Sequence, residues 1–308
     1  MTQSFVLAIH GGAGVKPSAD MTAKQEAAYH RALSDVLAAG EKVLAAGGTA
    51  IDAVTAAVIA LENDPLFNAG RGAVFTRDGK HEMDAAIMDG QNRDAGAVAG
   101  VAGIRNPVRL ARAVMERTDH VMMIGRGAMT IAQDACLDLE DETYFFTQER
   151  WDSLQDTLRM EAEGGLDDDP SRRHGTVGAV ARDRAGNLAA ATSTGGMTAK
   201  RTGRVGDSPL IGAGTLADNA SCAISATGDG EAFIRLSVAR EIDARLRLTG
   251  QSLTDAAQKV VMDDLTAIGG SGGLISVGRD GSIALPFNCD GMYRGWSIEG
   301  KSPETAIY

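Results

Sequence analysis

The sequence contains little cysteine: the three cysteines are Cys136, Cys222 and Cys289. They are odd in number and far apart, so they give no zinc-ligand spacing and fit a reducing compartment, which predicts a cytoplasmic protein. We expect all three to be buried small apolar residues. The five histidines form no pair at metal-ligand spacing either, so no catalytic metal is expected.

Aromatic residues and positive charge are also scarce. The chain has 7 Phe, 4 Tyr and 2 Trp, too few for the stacking platforms that bind single-stranded nucleic acid. The 30 basic residues are outnumbered by 41 acidic ones, and the net charge of −11 disfavours binding to a phosphate backbone. The first apolar run, residues 5–9, is too short for a signal peptide or a membrane span. We therefore expect no nucleic-acid or membrane partner.

Proline is rare, with 7 residues, whereas glycine is abundant, with 38 among 308. Average proteins contain about 7% glycine, and the surplus here is too small for a collagen-like or low-complexity chain. Glycine allows backbone conformations and close approaches that other residues cannot make. The surplus therefore predicts loops in which backbone groups approach a ligand or one another.

The order of elements along the chain favours a layered α+β fold in one domain, residues 1–308. The pattern predicts helices over 22–47, 49–64, 107–117 (with Asn106 as N-cap), 129–139, 232–248 and 252–268. It predicts strands over 5–9, 121–124 (short and buried), 176–182, 188–193 and 222–226, with hairpins turning near 183–187 and 279–281. Helices grouped between strands argue against strict βαβ alternation and for antiparallel or mixed sheets covered by helices.

One segment reads as a linker. Residues 161–175 hold a single large aliphatic residue among charges, glycine and proline, and cannot contribute to a core. We therefore expect a flexible linker over 160–175 that ends abruptly at Gly175. A small-residue strand begins at Thr176, directly after it.

The sequence contains two patterns that are typical of known hydrolase classes. Residues 269–273 match GxSxG, but the nucleophile elbow requires a strand before the serine and a helix after it, and here the order is reversed. Glu82 and Asp84 form a carboxylate pair of the kind that glycosidases use, but no aromatic sugar platform lies near them in sequence. A serine hydrolase through Ser271 and a glycosidase therefore remain distant alternatives.

Thr176 offers a more specific chemistry. If the bond before it were cut, Thr176 would carry both a hydroxyl and a free α-amine, a nucleophile and its base in one residue. An α-amine has a pKa of about 7.7 to 8.0, against about 10.4 for lysine, so a sizeable fraction is unprotonated near neutrality. The plainer alternative is a threonine that merely opens a strand after a linker.

Seven glycine-rich motifs occur in order along nearly the whole chain. They are His10-Gly-Gly-Ala-Gly14, Pro65-Leu-Phe-Asn-Ala-Gly70, Gly175-Thr-Val-Gly-Ala-Val180, Thr192-Ser-Thr-Gly-Gly196, Gly203-Arg-Val-Gly-Asp-Ser-Pro209, Thr227-Gly-Asp-Gly-Glu231 and Gly269-Gly-Ser-Gly-Gly273. Together they resemble the plant-type asparaginase (isoaspartyl peptidase) family of N-terminal nucleophile hydrolases. The resemblance implies a four-layer αββα sandwich and self-cleavage at Gly175-Thr176 into an α chain, 1–175, and a β chain, 176–308.

The same resemblance implies roles for individual residues. Thr176 would be the nucleophile and base, and Thr194 would hydrogen-bond and orient it. The Thr227 hydroxyl and the Gly228 N–H would form the oxyanion hole. The substrate-binding residues would be Arg204 for the α-carboxylate and Asp207 for the α-ammonium, with Thr227, Gly228, Gly230 and, near the nucleophile, Asn68.

The family resemblance also implies a structural sodium ion and an oligomer. The ion would be held by main-chain carbonyls of Leu61, Glu62, Asp64, Phe67, Ala69 and Arg71, and catalysis itself would need no cofactor. Two processed αβ units would form a homodimer, hence a heterotetramer. Asp229, between two motif glycines, has no mapped role; its charge could alter substrate preference.

The function that follows is an autoprocessing hydrolase that cleaves β-aspartyl peptides and the side-chain amide of L-asparagine, releasing L-aspartate. Both substrates present the same α-carboxylate and α-ammonium, so the sequence does not rank them. The alternatives are a non-catalytic amino-acid-binding protein on the same scaffold and an N-terminal nucleophile amidohydrolase of other specificity.

Overall fold

A computed structural model of the intact chain describes residues 4–15, 17–165 and 175–308. Within these ranges twelve strands occur: β1 Val6–Ala13, β2 Met83–Asp89, β3 Ala95–Val101, β4 Met122–Ile124, β5 Val177–Arg182, β6 Leu188–Thr194, β7 Thr215–Ala217, β8 Cys222–Gly228, β9 Gly272–Gly278, β10 Ile283–Ala284, β11 Met292–Ile298 and β12 Glu304–Ala306. Most of the predicted linker, residues 166–174, lies outside the described residues.

Two sheets are built from these strands. The larger has the order β12-β11-β1-β5-β6-β2-β3-β4 and the smaller the order β10-β9-β8-β7. All named pairs are antiparallel except β3 with β4. The N-terminal strand β1 lies between β5 and β11, so both halves of the chain contribute to the centre of one sheet.

The helices flank the sheets. They are α1 Ala23–Ala45, α2 Ala50–Asn63, α3 Pro107–Arg117, α4 Gly125–Asp134, α5 Glu142–Phe145, α6 Gln148–Ala162, α7 Gly230–Leu236, α8 Val238–Thr249 and α9 Leu253–Gln258, which continues into a π-helical segment, Lys259–Leu265. Short 3-10 turns occur at Ser18–Asp20 and Gly70–Gly72. No helix in the described ranges is both long and apolar enough to cross a bilayer.

Three apolar clusters define the layers. Leu33 of α1 and Val58 of α2 pack with Ala179 of β5 on one face of the large sheet. Val180 and Ile275 belong to a cluster between the two sheets. Residues of α7 to α9 and of the π-helical segment, from Phe233 to Leu265, cover the other face of the small sheet. The order helix, sheet, sheet, helix confirms the predicted α+β sandwich.

Local sequence signals account for several of these elements. Thr22 and Gln25 form the predicted capping box at the start of α1, and the Thr49 hydroxyl accepts the Asp52 N–H at the start of α2. The hairpin of β5 and β6 lies where the sequence predicts it, with β6 extended by one residue to Thr194. That extension matters, because Thr194 is a predicted site residue.

Other local predictions were wrong. Strand β4 is an edge strand with exposed Met122 and Ile124, not a buried one. The helix predicted over 129–139 is α4, at 125–134, and the one predicted over 232–248 is interrupted at Ser237, whose φ is +50°. Helix α6 runs to Ala162, so the linker cannot begin at 160. Cys136 is exposed, whereas Cys222 is buried and Cys289 intermediate.

Candidate active site

Thr176 stands immediately before β5 and is buried, with 6% of its surface exposed. Val177 pairs with Ser193 across β5 and β6, which brings the adjoining residues Thr176 and Thr194 together. The Thr176 hydroxyl donates to Thr194 Oγ1 at 3.1 Å. The hydroxyl proton of Thr176 therefore points toward Thr194, and the lone pairs of Thr176 Oγ1 point away from Thr194.

The carbonyl of Gly175, in the bond predicted to be cut, accepts two hydrogen bonds. One comes from the Thr194 hydroxyl at 3.0 Å and the other from Asn68 Nδ2 at 2.8 Å. The Asn68 amide is oriented by Val74 N–H, which donates to its Oδ1, and by Gly196 O, which accepts from its Nδ2. Two fixed donors on one carbonyl can stabilise negative charge that develops on that oxygen.

Thr227 and Gly228 are the last two residues of strand β8. The Thr227 hydroxyl accepts the Ala13 N–H at 3.1 Å, and the side chain is fully buried. Because that oxygen is already used as an acceptor, its own proton is left to be donated. Gly228 lines the same pocket as Thr176, whereas Thr227, the residue before it, is not part of that lining.

Arg204 and Asp207 meet around Gly230. A Cβ on Gly230 would lie 3.0 Å from Arg204 Nη2 and 3.1 Å from Asp207 Oδ1. Arg204 makes a bidentate pair with Glu231, at 2.9 and 2.7 Å. Burial raises the pKa of Asp207 to about 7, against the opposing charge of Arg204, and its Oδ2 has no hydrogen-bond partner within the described ranges. The two groups form a charge-complementary pair for a zwitterionic ligand.

A single small pocket collects most of the predicted residues. Its lining is Gly175, Thr176, Thr194, Gly196, Met197, Arg204, Gly206, Asp207, Ser208 and Gly228. Its volume in the intact chain is about 10 Å³, roughly the room that one water needs. The structure thus brings the predicted nucleophile, orienting threonine, oxyanion glycine and substrate-binding pair together.

His10 is a site residue that the sequence analysis did not single out. Its Nδ1 lies 3.0 Å from Thr176 O and must donate, because a carbonyl only accepts; its Nε2 then accepts from Ser225 Oγ at 2.9 Å. Complete burial lowers the pKa of His10 to about 3, so the ring is neutral. Its position in the first glycine-rich motif was the available signal, but its partners lie 166 and 215 residues away.

Lys200 and Glu62 are buried next to residues of the site. Lys200 Nζ donates to Glu82 O at 2.7 Å, and a Cβ on Gly196 would lie 2.9 Å from this nitrogen. Burial lowers the pKa of Lys200. Glu62 Oε1 accepts from Ser193 Oγ at 2.7 Å and from Val108 N at 2.9 Å, and burial raises its pKa to about 7. Asn106 is the N-cap residue of α3, as predicted, but its side chain makes no capping bond, and Glu62 supplies the capping acceptor instead.

The loop predicted to hold sodium by its carbonyls packs closely around two glycines. A Cβ on Gly70 would lie 2.3 Å from Glu62 O, and one on Gly72 would lie 2.1 Å from Phe67 O. The carbonyls of Glu62 and Phe67 thus pack directly against the backbone of the two glycines, where a side chain would not fit. Carbonyl oxygens are ligands that hard cations prefer. The sodium site on the loop 61–72 stays a prediction.

The competing signatures do not form sites. Ser271 lies between a helical segment and β9, so the strand and helix of a nucleophile elbow are in the wrong order around it. Glu82 accepts the Gly203 N–H, whereas Asp84 is fully buried and accepts the Gly100 N–H. Both carboxylates are engaged by backbone amides.

Comparisons with known proteins agree with this geometry. The family described as "Asparaginase" matches residues 3–307. A protein named isoaspartyl peptidase from Salmonella typhimurium is 54% identical over 308 residues, with 98% of each chain covered. The isoaspartyl peptidase of Escherichia coli is 53% identical, covering 98% of this chain and 96% of that protein. A plant-type L-asparaginase from Pyrobaculum calidifontis is 43% identical over 305 residues, 96% of this chain and 97% of its own. The chain belongs to the asparaginase family of hydrolases, as the motifs predict.

Proposed function

We propose that the protein cleaves itself at Gly175-Thr176 and then hydrolyses β-aspartyl peptides and the side-chain amide of L-asparagine. The observation that carries the proposal is the hydrogen-bond chain from the Thr176 hydroxyl to Thr194 and on to Gly175 O. It links the Thr176 hydroxyl, through Thr194, to the carbonyl oxygen of its own preceding peptide bond. The names of the relatives, isoaspartyl peptidase and plant-type L-asparaginase, supply the two substrate classes.

Self-cleavage starts with attack of Thr176 Oγ1 on the Gly175 carbonyl carbon. Asn68 and Thr194 donate to the oxygen on which negative charge develops. The carbon–nitrogen bond then breaks, the proton from the hydroxyl passes to the released amine, and an ester links Gly175 to Thr176 Oγ1. Water hydrolyses the ester, which gives a Gly175 carboxylate and a Thr176 with a free hydroxyl and α-amine.

In turnover the new α-amine acts as the base. It takes the Thr176 hydroxyl proton while the oxygen attacks the substrate's side-chain carbonyl, and the proton then goes to the leaving amine or ammonia. Thr227 and Gly228 would stabilise the oxyanion, each donor contributing about 10² to 10³ in rate. Water releases L-aspartate from the acyl-enzyme and restores the hydroxyl.

Arg204 and Asp207 hold the aspartyl part of the substrate in this proposal. In the intact chain Glu231 occupies the two donors of Arg204 that a substrate carboxylate would take. The incoming α-carboxylate would replace or share that contact, and Asp207 Oδ2, which has no partner in the described chain, would accept from the α-ammonium. Sodium on the 61–72 loop would have a structural role only.

Two further expectations belong to the same proposal. The processed αβ units would pair into a homodimer, and the protein would work in the cytoplasm, which the scarcity of cysteine favours. Neither bears on the chemistry at Thr176.

Intact-mass measurement before and after incubation tests the proposal. We expect two fragments whose masses sum to that of the precursor plus one water, the larger ending at Gly175. Thr176→Ala should stay intact and inactive, and Thr176→Ser should be cleaved more slowly. Wild-type protein that remains uncleaved yet hydrolyses a β-aspartyl dipeptide would overturn the mechanism; aspartate binding without ammonia release from asparagine would indicate a binding protein.

A further inference from the structure

We propose that a second cavity beside Gly175 is the subsite for the leaving amino acid of a β-aspartyl dipeptide, with Arg150 binding the free carboxylate of that residue. The proposal rests on the proposed function, since it concerns the other half of the same substrate. Such a subsite would be filled by the leaving residue of a dipeptide but not by asparagine, whose leaving group is ammonia.

The position of the cavity is the first argument. This cavity and the small pocket lined by Thr176 and Arg204, here called the Arg204 pocket, have one lining residue in common, Gly175. Asn68 and the glycine-rich segment 11–14 form part of its wall. Once the Gly175-Thr176 bond is cut, a substrate whose aspartyl part is held at Arg204 has its scissile bond at Thr176, and the adjoining cavity is available to the part beyond that bond.

Size is the second argument. The cavity measures about 70 Å³, against about 10 Å³ for the Arg204 pocket. Since a water needs roughly 10 to 15 Å³, this volume holds about five to seven small groups, the number of heavy atoms in glycine or alanine. The cavity is partly open, so a larger side chain can extend outward.

Charge is the third argument. Arg150 is the only positively charged side chain among the described residues that line the cavity. Its Nε donates to Gly72 O at 3.0 Å and its Nη2 to Leu66 O at 3.3 Å, which fixes the guanidinium at the wall. A guanidinium has five N–H groups in a rigid fork, so donors remain for a carboxylate.

The remaining lining predicts which leaving residues are preferred. Leu66 and the stacked rings of Tyr29 and Tyr293, with centroids 4.0 Å apart, offer apolar surface. Glu149 also lines the cavity and is exposed. An apolar leaving side chain should therefore be accepted, and an acidic one should be repelled by Glu149.

The test uses two dipeptides that differ only at the carboxylate: β-aspartyl-glycine and its C-terminal amide. The cleaved wild-type protein should hydrolyse the free acid with a kcat/KM about tenfold higher than the amide, as expected for loss of one charge-assisted hydrogen-bond pair. In Arg150→Gln that preference should disappear, and in Arg150→Lys it should be partly kept. Each variant is also measured with L-asparagine.

A matched control is Arg105→Gln. Arg105 also contacts the 61–72 loop, through Asn63 Oδ1, and packs over the Tyr144 ring, but it does not line the cavity. Its acid-to-amide preference should equal that of the wild type. If Arg150→Gln is not cleaved or does not fold, Arg150→Lys takes its place, and an acid-to-amide preference in Arg150→Lys equal to that of the wild type would overturn the assignment of Arg150.

The outcomes separate the two proposals. No acid-to-amide preference in the wild type, or the same preference in Arg150→Gln, overturns the subsite while leaving the proposed function standing. An equal loss with dipeptide and asparagine in Arg150→Gln assigns Arg150 a merely structural role and also overturns the subsite. A wild-type protein that hydrolyses neither substrate contradicts the proposed function itself.

Discussion

At the scale of single residues, Asp207 predicts how ligand binding depends on pH. Burial raises its pKa to about 7; Arg204 opposes this rise, and Glu231 and Asp229 add to it. A protonated Asp207 cannot pair with an α-ammonium, so L-aspartate should bind about fiftyfold more weakly at pH 5 than at pH 7. Between pH 7 and pH 5 the Thr176 amine, with an ordinary α-amine pKa of about 7.7 to 8.0, goes only from largely to fully protonated, a much smaller change than that of Asp207.

Calorimetric titration of the cleaved protein with L-aspartate would measure this dependence. Asp207→Asn should bind weakly at both pH values and should lack the acid-side loss, because the amide does not titrate. An affinity in the wild type that stays flat from pH 7 to pH 5 would mean that Asp207 is ionised throughout or does not contact the ammonium.

The residues that could be predicted from sequence are those whose motif carries a familiar chemistry. Thr176, Thr194, Arg204, Asp207 and Gly228 do meet in one pocket. The supporting contacts could not be predicted, because each joins distant parts of the chain: His10 to Ser225 over 215 residues and Glu62 to Ser193 over 131. No local pattern specifies such pairs; only the packed sandwich does.

At the scale of elements, Glu62 links three of them: α2, which contains it, the start of α3 and strand β6. Glu62→Ala leaves the Val108 N–H and the Ser193 hydroxyl buried without this acceptor. We expect a loss of about 2 kcal/mol in the free energy of unfolding beyond that of Asn106→Ala. The Asn106 side chain makes no capping bond to α3, so its removal should cost less.

Urea denaturation of both variants in a Thr176→Ala background, where the chain stays in one piece, would give the comparison. The uncleaved background is needed because dissociation of two fragments on unfolding would make the apparent stability depend on protein concentration. Equal losses, or a larger loss for Asn106→Ala, would contradict the assignment of Glu62 as the cap.

The helices that could be predicted from sequence are those whose ends carry a local capping signal. Thr22 and Thr49 cap α1 and α2 by bonds within three residues, so sequence specifies them. The exposure of β4 could not be predicted, because an apolar run has the same pattern whether the strand lies inside a sheet or, as here, at its edge. The break at Ser237 places a non-glycine residue at φ +50°, which sequence does not indicate.

At the scale of the whole molecule, the candidate cleavage point lies within a shared fold. The segment before it supplies β1, which pairs with β11 from Val6 to Ala13 and with β5 from Val6 to His10, both from the segment after it. Strand β2 likewise pairs with β6. Leu33 and Val58 from the first segment share a core cluster with Val177 and Ala179 from the second. Neither segment can bury its apolar residues alone.

Cutting the Gly175-Thr176 bond should therefore leave the two fragments together. We expect them to elute as one species from a size-exclusion column in native buffer, at the volume of the uncleaved Thr176→Ala protein, and to separate only in denaturant. Separate expression of 176–308 should give an insoluble or unfolded product, because β5 would lack β1 and β6 would lack β2. Dissociation of the fragments in native buffer would show that the sheet does not hold the two segments and would contradict the shared core.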